Sequence, residues 1–116
     1  MNTPINFEIA KLLKEKGFDE LSDFWYYSSG ELHHNACAWN NLKLADTNYS
    51  APTIAEVVMW LYEKKGNWIE VRDITRSAIV GDRFTAYIDQ DSDLKEYESP
   101  TEAYLSAIIY ILNNLL

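Results

Sequence analysis

The chain has 116 residues. That fits one domain, since domains run to roughly 100–200 residues, and a chain of this size hides about 65% of its unfolded surface on folding. Hydrophobic residues make up 47% and aromatic residues 14%, with only 4 Gly and 3 Pro, which excludes a disordered or linker-like chain. Its 10 basic and 18 acidic residues give a net charge of −8, which argues against binding nucleic-acid phosphates or an anionic membrane surface and leaves a basic protein partner or simple solubilisation.

Thr3-Pro4 reads as a helix start, because Thr caps and Pro at the first helical position costs no hydrogen bond. Phe7, Ile9, Leu12 and Leu13 supply apolar positions near helical spacing. Lys11, Lys14 and Lys16 lie toward the C-terminal end, where the helix dipole favours cations, and Gly17 suits a left-handed C-cap. Residues 24–27 are aromatic and read as a strand, Ser28-Ser29-Gly30 as a turn, and residues 31–34 as the returning strand. Asn40-Asn41 suggests a further turn.

A second helix is predicted from about Pro52. Thr53 and Glu56 can form a capping box, and a start at Ser50 or Ala51 is equally allowed. Ile54, Val57, Val58, Leu61 and Tyr62 repeat at helical spacing, and Lys64-Lys65-Gly66 closes the helix. Residues 68–74 are β-rich, with Ile69 and Val71 on one side and Glu70 and Arg72 on the other. Gly81-Asp82 is read as a two-residue hairpin turn, joining residues 78–80 to residues 83–89, where Phe84, Ala86 and Ile88 alternate with Thr85, Tyr87 and Asp89. Ser99-Pro100-Thr101-Glu102 opens the last helix. Tyr104, Leu105, Ile108, Ile109, Ile111, Leu112, Leu115 and Leu116 then cover more than one stripe. Such a helix is either the central element or meets a second subunit.

Tyr49-Ser50-Ala51-Pro52-Thr53-Ile54-Ala55 aligns with Tyr97-Glu98-Ser99-Pro100-Thr101-Glu102-Ala103. Two readings stand: a duplicated ββα unit, or two ordinary helix starts that share Pro and Thr. The fold class expected is α+β, one domain over residues 1–116, with three helices packed on an antiparallel sheet of four to five strands and two ββα-like halves as one form of it.

The segments 9–19, 49–53 and 60–71, with Ser99-Pro100-Thr101-Glu102-Ala103 and the closing apolar helix, resemble a group of small uncharacterised proteins of Bacteroides-type bacteria and their prophage-like elements. The resemblance implies a bacterial or phage origin and an accessory role. It carries no catalytic residue onto this chain.

The residues that invite chemistry are few. Asp89, Asp91 and Asp93 imitate the first half of a calcium loop, but the required Gly and Glu positions hold Leu94 and Pro100. His33, His34 and Cys37 are the nearest soft-metal ligands, short of the four that a structural zinc site takes. Cys37 with His33 or His34 would be a nucleophilic pair only with a third, orienting group. No glycine loop for a phosphate or cofactor is present. Trp25, Tyr26, Trp39, Trp60 and Trp68 are expected mostly to fill the core. The candidate interaction residues are Asp89, Asp91, Asp93, Glu96 and Glu98, an acidic run able to imitate a nucleic-acid backbone or simply to stay hydrated.

The single cysteine, Cys37, points to a reducing compartment. Residues 1–7 lack signal-peptide character, and the apolar stretch 107–112 is too short to span a bilayer. The expectation is a cytoplasmic, non-enzymatic accessory or protein-interaction domain with a protein partner or a homo-oligomer, no cofactor and no metal. The alternative is an acidic inhibitor of a nucleic-acid-processing protein.

Overall fold

Helix starts and stops are local chemistry, and three of them organise the chain. The computed structural model describes residues 2–39, 47–77, 79, 81–92 and 95–116, of which 35–39 and 92 are described by backbone alone. The elements run α1 (Phe7–Glu15), β1 (Ser22–Tyr26), β2 (Leu32–Trp39), β3 (Tyr49–Ser50), α2 (Ile54–Lys65), β4 (Ile69–Asp73), β5 (Phe84–Ile88), β6 (Asp91–Ser92) and α3 (Pro100–Asn114). The class is α+β, with three helices as expected. The strands form two three-stranded antiparallel sheets, ordered β2-β1-β3 and β4-β5-β6. The chain divides into two compact units, Met1–Glu56 and Val57–Leu116.

In the first unit the helix predicted from Thr3-Pro4 begins three residues later. Thr3 and Pro4 are extended instead. The Thr3 carbonyl accepts from Ile54 N at 3.1 Å, Ile5 N donates to the Pro52 carbonyl at 2.8 Å, and Pro4 bridges Thr53. With these groups committed, Asn6 becomes the N-cap, its Oδ1 accepting from Ile9 N at 2.9 Å. The other end closes as expected. Gly17 takes φ +89°, its N–H donates to the Lys14 carbonyl, and Phe18 N–H donates to the Leu13 carbonyl. This is the paired closure that satisfies last-turn carbonyls while bringing the flanking apolar residues together, and Leu13 and Phe18 are both buried. The rings of Tyr26 and Tyr49 sit edge-on to Phe7 at 5.5 and 5.7 Å. The buried Tyr26 hydroxyl donates to the Ile5 carbonyl at 2.9 Å, and burial raises its pKa.

The start of α2 is the capping box read from the sequence. Thr53 Oγ1 accepts from Glu56 N at 3.2 Å, and Glu56 Oε1 accepts from Thr53 N at 2.9 Å. For α3, Ser99 Oγ accepts from Glu102 N at 3.2 Å, with Pro100 at the first helical position.

In the second unit one strand pairing differs from expectation. The partner of β5 is β4, in a register that opposes Ile69 to Ile88 and Asp73 to Phe84. Gly81-Asp82 is not the hairpin turn. The strands close where Ile74 N donates to the Arg83 carbonyl, and a longer connection lies beyond. There Asp73 Oδ1 accepts from Thr75 N and Oγ1, which lowers the Asp73 pKa, and Thr75 Oγ1 accepts from Arg83 N. Ile79 lies in a turn and is 98% exposed, while Ala78 and Val80 lie outside the described residues, as does the Asn40-Asn41 turn. The two-residue hairpin turn is Asp89-Gln90, between β5 and β6, with φ of +52° and +77°. Both central residues at positive φ match the turn that follows strand twist, where Asp is tolerated and Gln is unusual.

Candidate functional site

Helix α3 lies against β4 and β5. Ala103, Ala107, Ile108, Ile111 and Leu112 are fully buried along one wide arc, the spacing that faces a helix to a sheet. The apolar residues outside that arc are covered unevenly, with Tyr104, Leu105 and Leu116 half-buried. Ile109, Tyr110 and Leu115 are 38%, 51% and 46% exposed. The apolar face of α3 is thus wider than the arc that is fully buried.

A groove of about 760 Å³ lies beside α3. Its apolar lining includes Ile88, Ala107, Ile109 and Tyr110, with Asp91 and Lys95 among its polar residues. Polar contacts fix its surroundings. Tyr97 Oη and Ser106 Oγ share a hydrogen bond of 2.7 Å, and Asn114 Nδ2 donates to the Tyr110 carbonyl at 3.0 Å. Thr85, buried in β5, donates from Oγ1 to the Lys95 carbonyl at 2.9 Å.

The structure separates the acidic run into different roles. Asp89 is a framework residue: its carboxylate accepts from Asn67 Nδ2 at 3.0 Å and from Trp68 N at 2.9 Å, tying the Asp89-Gln90 turn to the start of β4. Glu96 pairs with Arg76 at 2.7 Å. Asp91 and Glu98 are exposed, Asp91 beside the groove. Asp93 lies outside the described residues. Of the four described residues, Asp89 and Glu96 are engaged within the chain, while Asp91 and Glu98 are exposed.

The two histidines occupy opposite faces of the β1–β2 hairpin. His33 stands across from Trp25 and His34 across from Phe24. Successive strand residues point to opposite faces, and the rings confirm it: His34 stacks on Phe24 at 4.7 Å, and His33 on Trp25 at 5.2 Å with Tyr27 edge-on at 4.2 Å. His33 and His34 cannot converge on one ion. His33 Nε2 is 3.5 Å from Glu31 Oε1 without hydrogen-bond alignment. The Cys37 side chain lies outside the described set. Among the described residues no three His, Cys, Asp or Glu side chains gather to hold a metal, and no helix is long and apolar enough to cross a membrane.

Of the aromatic residues assigned to the core, Tyr26 and Trp60 are buried, whereas Trp68 is 44% exposed against Tyr62. The groove residues carried one signal in the sequence: α3 has more apolar positions than a single stripe can bury. Tyr110 was hidden in that pattern, because nothing local tells which apolar positions of a helix stay exposed.

No protein-family model matches the chain, and no curated protein or solved structure shows significant similarity to it.

Proposed function

We propose that this protein is a cytoplasmic accessory module that acts by binding rather than by catalysis, and that it takes a partner segment in the groove beside α3. The observation that carries the reading is the exposure of Ile109 and Tyr110 on α3, with Leu115 at its C-cap, along the groove. Exposed apolar patches with a polar rim mark interaction sites, and Tyr is enriched among residues that dominate binding energy. Asp91 at the groove and the net charge of −8 favour a partner that is apolar and basic, since complementary charge speeds and selects encounter. The resemblance of the caps and core positions to small bacterial and prophage-like proteins accords with an accessory role.

The acidic-inhibitor reading has less support. Asp89 and Glu96 are engaged within the chain, leaving fewer free carboxylates to imitate a phosphate backbone.

Fluorescence anisotropy of two labelled amphipathic peptides, one Leu/Lys and one Leu/Glu, tests the proposal. The basic peptide is expected to bind in the micromolar range. Tyr110→Ala or Ile109→Asp should each weaken it at least about tenfold, and Asp91→Lys should remove much of its salt dependence. Equal binding of both peptides, or binding indifferent to these variants, would overturn it.

A further inference from the structure

Strand β4 is the edge of its sheet: it pairs with β5 on one side and, among the described residues, with no strand on its second side. The hydrogen-bond parity of that edge is fixed. Ile74 N donates to the Arg83 carbonyl, and Asp89 N donates to the Trp68 carbonyl. Positions 68 and 74 are therefore bonded positions of the ladder. Hydrogen-bonded positions recur every second residue, so Glu70 and Arg72 also turn their backbone groups toward β5. Ile69, Val71 and Asp73 turn theirs outward, and among the described residues no other strand pairs with that edge.

The side chains alternate the other way. Ile69, fully buried, and Val71, half-buried, share the face that carries α3. Glu70 and Arg72 stand on the opposite face. There they form a double contact, Arg72 Nε to Glu70 Oε1 at 2.8 Å and Nη2 to Oε2 at 3.3 Å, with the guanidinium 4.1 Å from the Tyr87 ring centre. Tyr87 thus holds the pair upright at the sheet edge.

The sequence of this edge is complementary to itself when reversed. About Val71 as centre, an antiparallel copy sets Glu70 opposite Arg72, Arg72 opposite Glu70, and Ile69 opposite Asp73. No like charges meet. Charged residues on an edge strand ordinarily deter pairing with a stray strand. Here the same charges deter most strands and admit this one.

We propose that β4 pairs antiparallel with β4 of a second copy about a two-fold axis through Val71, joining the two three-stranded sheets edge to edge. Val71 exchanges its outward N–H and C=O with Val71 of the second copy, and Ile69 does so with Asp73. Glu70 and Arg72 fall at the non-hydrogen-bonded positions of the new ladder, where side chains come closest. Each Glu70 then faces an Arg72 from its own strand and one from the second copy. The axis is perpendicular to the sheet, so both α3 helices stand on the same face. This surface is separate from the groove, and the contact is isologous, so it closes as a dimer and does not propagate.

Analytical ultracentrifugation of the intact chain, with charge swaps on this edge, tests the proposal. The unaltered protein is expected to dimerise reversibly. Arg72→Glu places glutamates opposite one another, and Glu70→Arg places arginines opposite one another. Each should raise the dimer Kd at least about tenfold. The double variant Glu70→Arg/Arg72→Glu restores complementarity and should dimerise again. An equimolar mixture of the two single variants should form a heterodimer that neither forms alone. Val71→Pro removes an outward N–H that β5 does not use, and should also give a monomer. Amide exchange supplies a second readout: Val71 and Asp73 should gain protection as concentration rises, while Glu70 and Arg72 are protected throughout. A monomer at millimolar concentration would overturn the proposal. So would a dimer that is indifferent to the swaps, or one abolished only by Ile109→Asp.

Discussion

Both halves of the chain carry the same short signal and put it to different use. Tyr49 and Tyr97 each sit beside the central strand of a three-stranded sheet, just before a helix. In the first unit the central strand is β1, the first of its set. In the second it is β5, the second of its set. The aligned prolines also differ in position. Pro52 precedes the cap Thr53 and accepts from Ile5 N through its carbonyl, whereas Pro100 follows the cap Ser99 as the first helical residue. Each sheet is followed in the chain by a helix, yet strand order and the place of the proline relative to the cap do not repeat. One matched stretch of sequence thus enters two different local arrangements.

The comparison is broken most forcefully through the two cores. Leu13→Ala in the first unit and Ile111→Ala in the second each remove a fully buried side chain, and each should cost about 2–5 kcal/mol by urea titration. A loss below about 1 kcal/mol at either site would mean that its unit is not packed as described.

Tyr26→Phe comes next and touches only the first unit. It leaves the Ile5 carbonyl without its donor and should cost about 0.5–1.5 kcal/mol near neutral pH. The pH response separates the hydroxyl from the ring. Burial raises the Tyr26 pKa, so folding favours the protonated phenol. That contribution is complete below the unfolded value of about 10 and is lost as pH rises through the folded value. Tyr26→Phe should therefore narrow the stability gap between variant and unaltered protein in strong alkali. On the acid side, hydrogen bonds from Arg72 lower the Glu70 pKa and those from Thr75 lower that of Asp73. Their contribution is present above the unfolded carboxylate range and is lost as pH falls through the folded values.

The helix starts sharpen the comparison at a smaller scale. Ser99→Ala and Thr53→Ala each remove a side-chain acceptor and should each cost about 1 kcal/mol. Swapping the capping residues, Thr53→Ser and Ser99→Thr, should be nearly silent in thermal unfolding, because both hydroxyls cap. Unequal responses would show that one start depends on more than its cap.

The smallest expected effect is a gain. Gln90 holds φ +77° in the β5–β6 turn, a conformation Gly adopts at little cost. Gln90→Gly should relieve about 1–2 kcal/mol of left-handed strain against about 0.4–1 kcal/mol of added unfolded-chain freedom, a small net stabilisation in thermal unfolding. Gly81→Ala tests the contrast. It is strained by a φ of +86° and should destabilise by about 1–2 kcal/mol, although Gly81 is not the hairpin turn it was expected to be.

The sequence by itself determined the α+β class, three helices, the capping box at Thr53 and Glu56, the cap at Ser99, the closure of α1 at Gly17 and the alternation of β4. These rest on contacts three or four residues apart or on strict periodicity, so neighbours in the chain suffice. It misplaced the start of α1 because the Thr3 and Pro4 backbone is held by residues some 50 positions away. It misplaced the β5 hairpin because Gly-Asp is the commoner turn pair, while Asp89 is held in place by Asn67 and Trp68. Only the tertiary structure decided the order of strands in each sheet, which apolar residues of α3 stay exposed, and the outward parity of β4. Each depends on which distant segments meet, and burial and hydrogen-bond satisfaction over the whole fold make that choice.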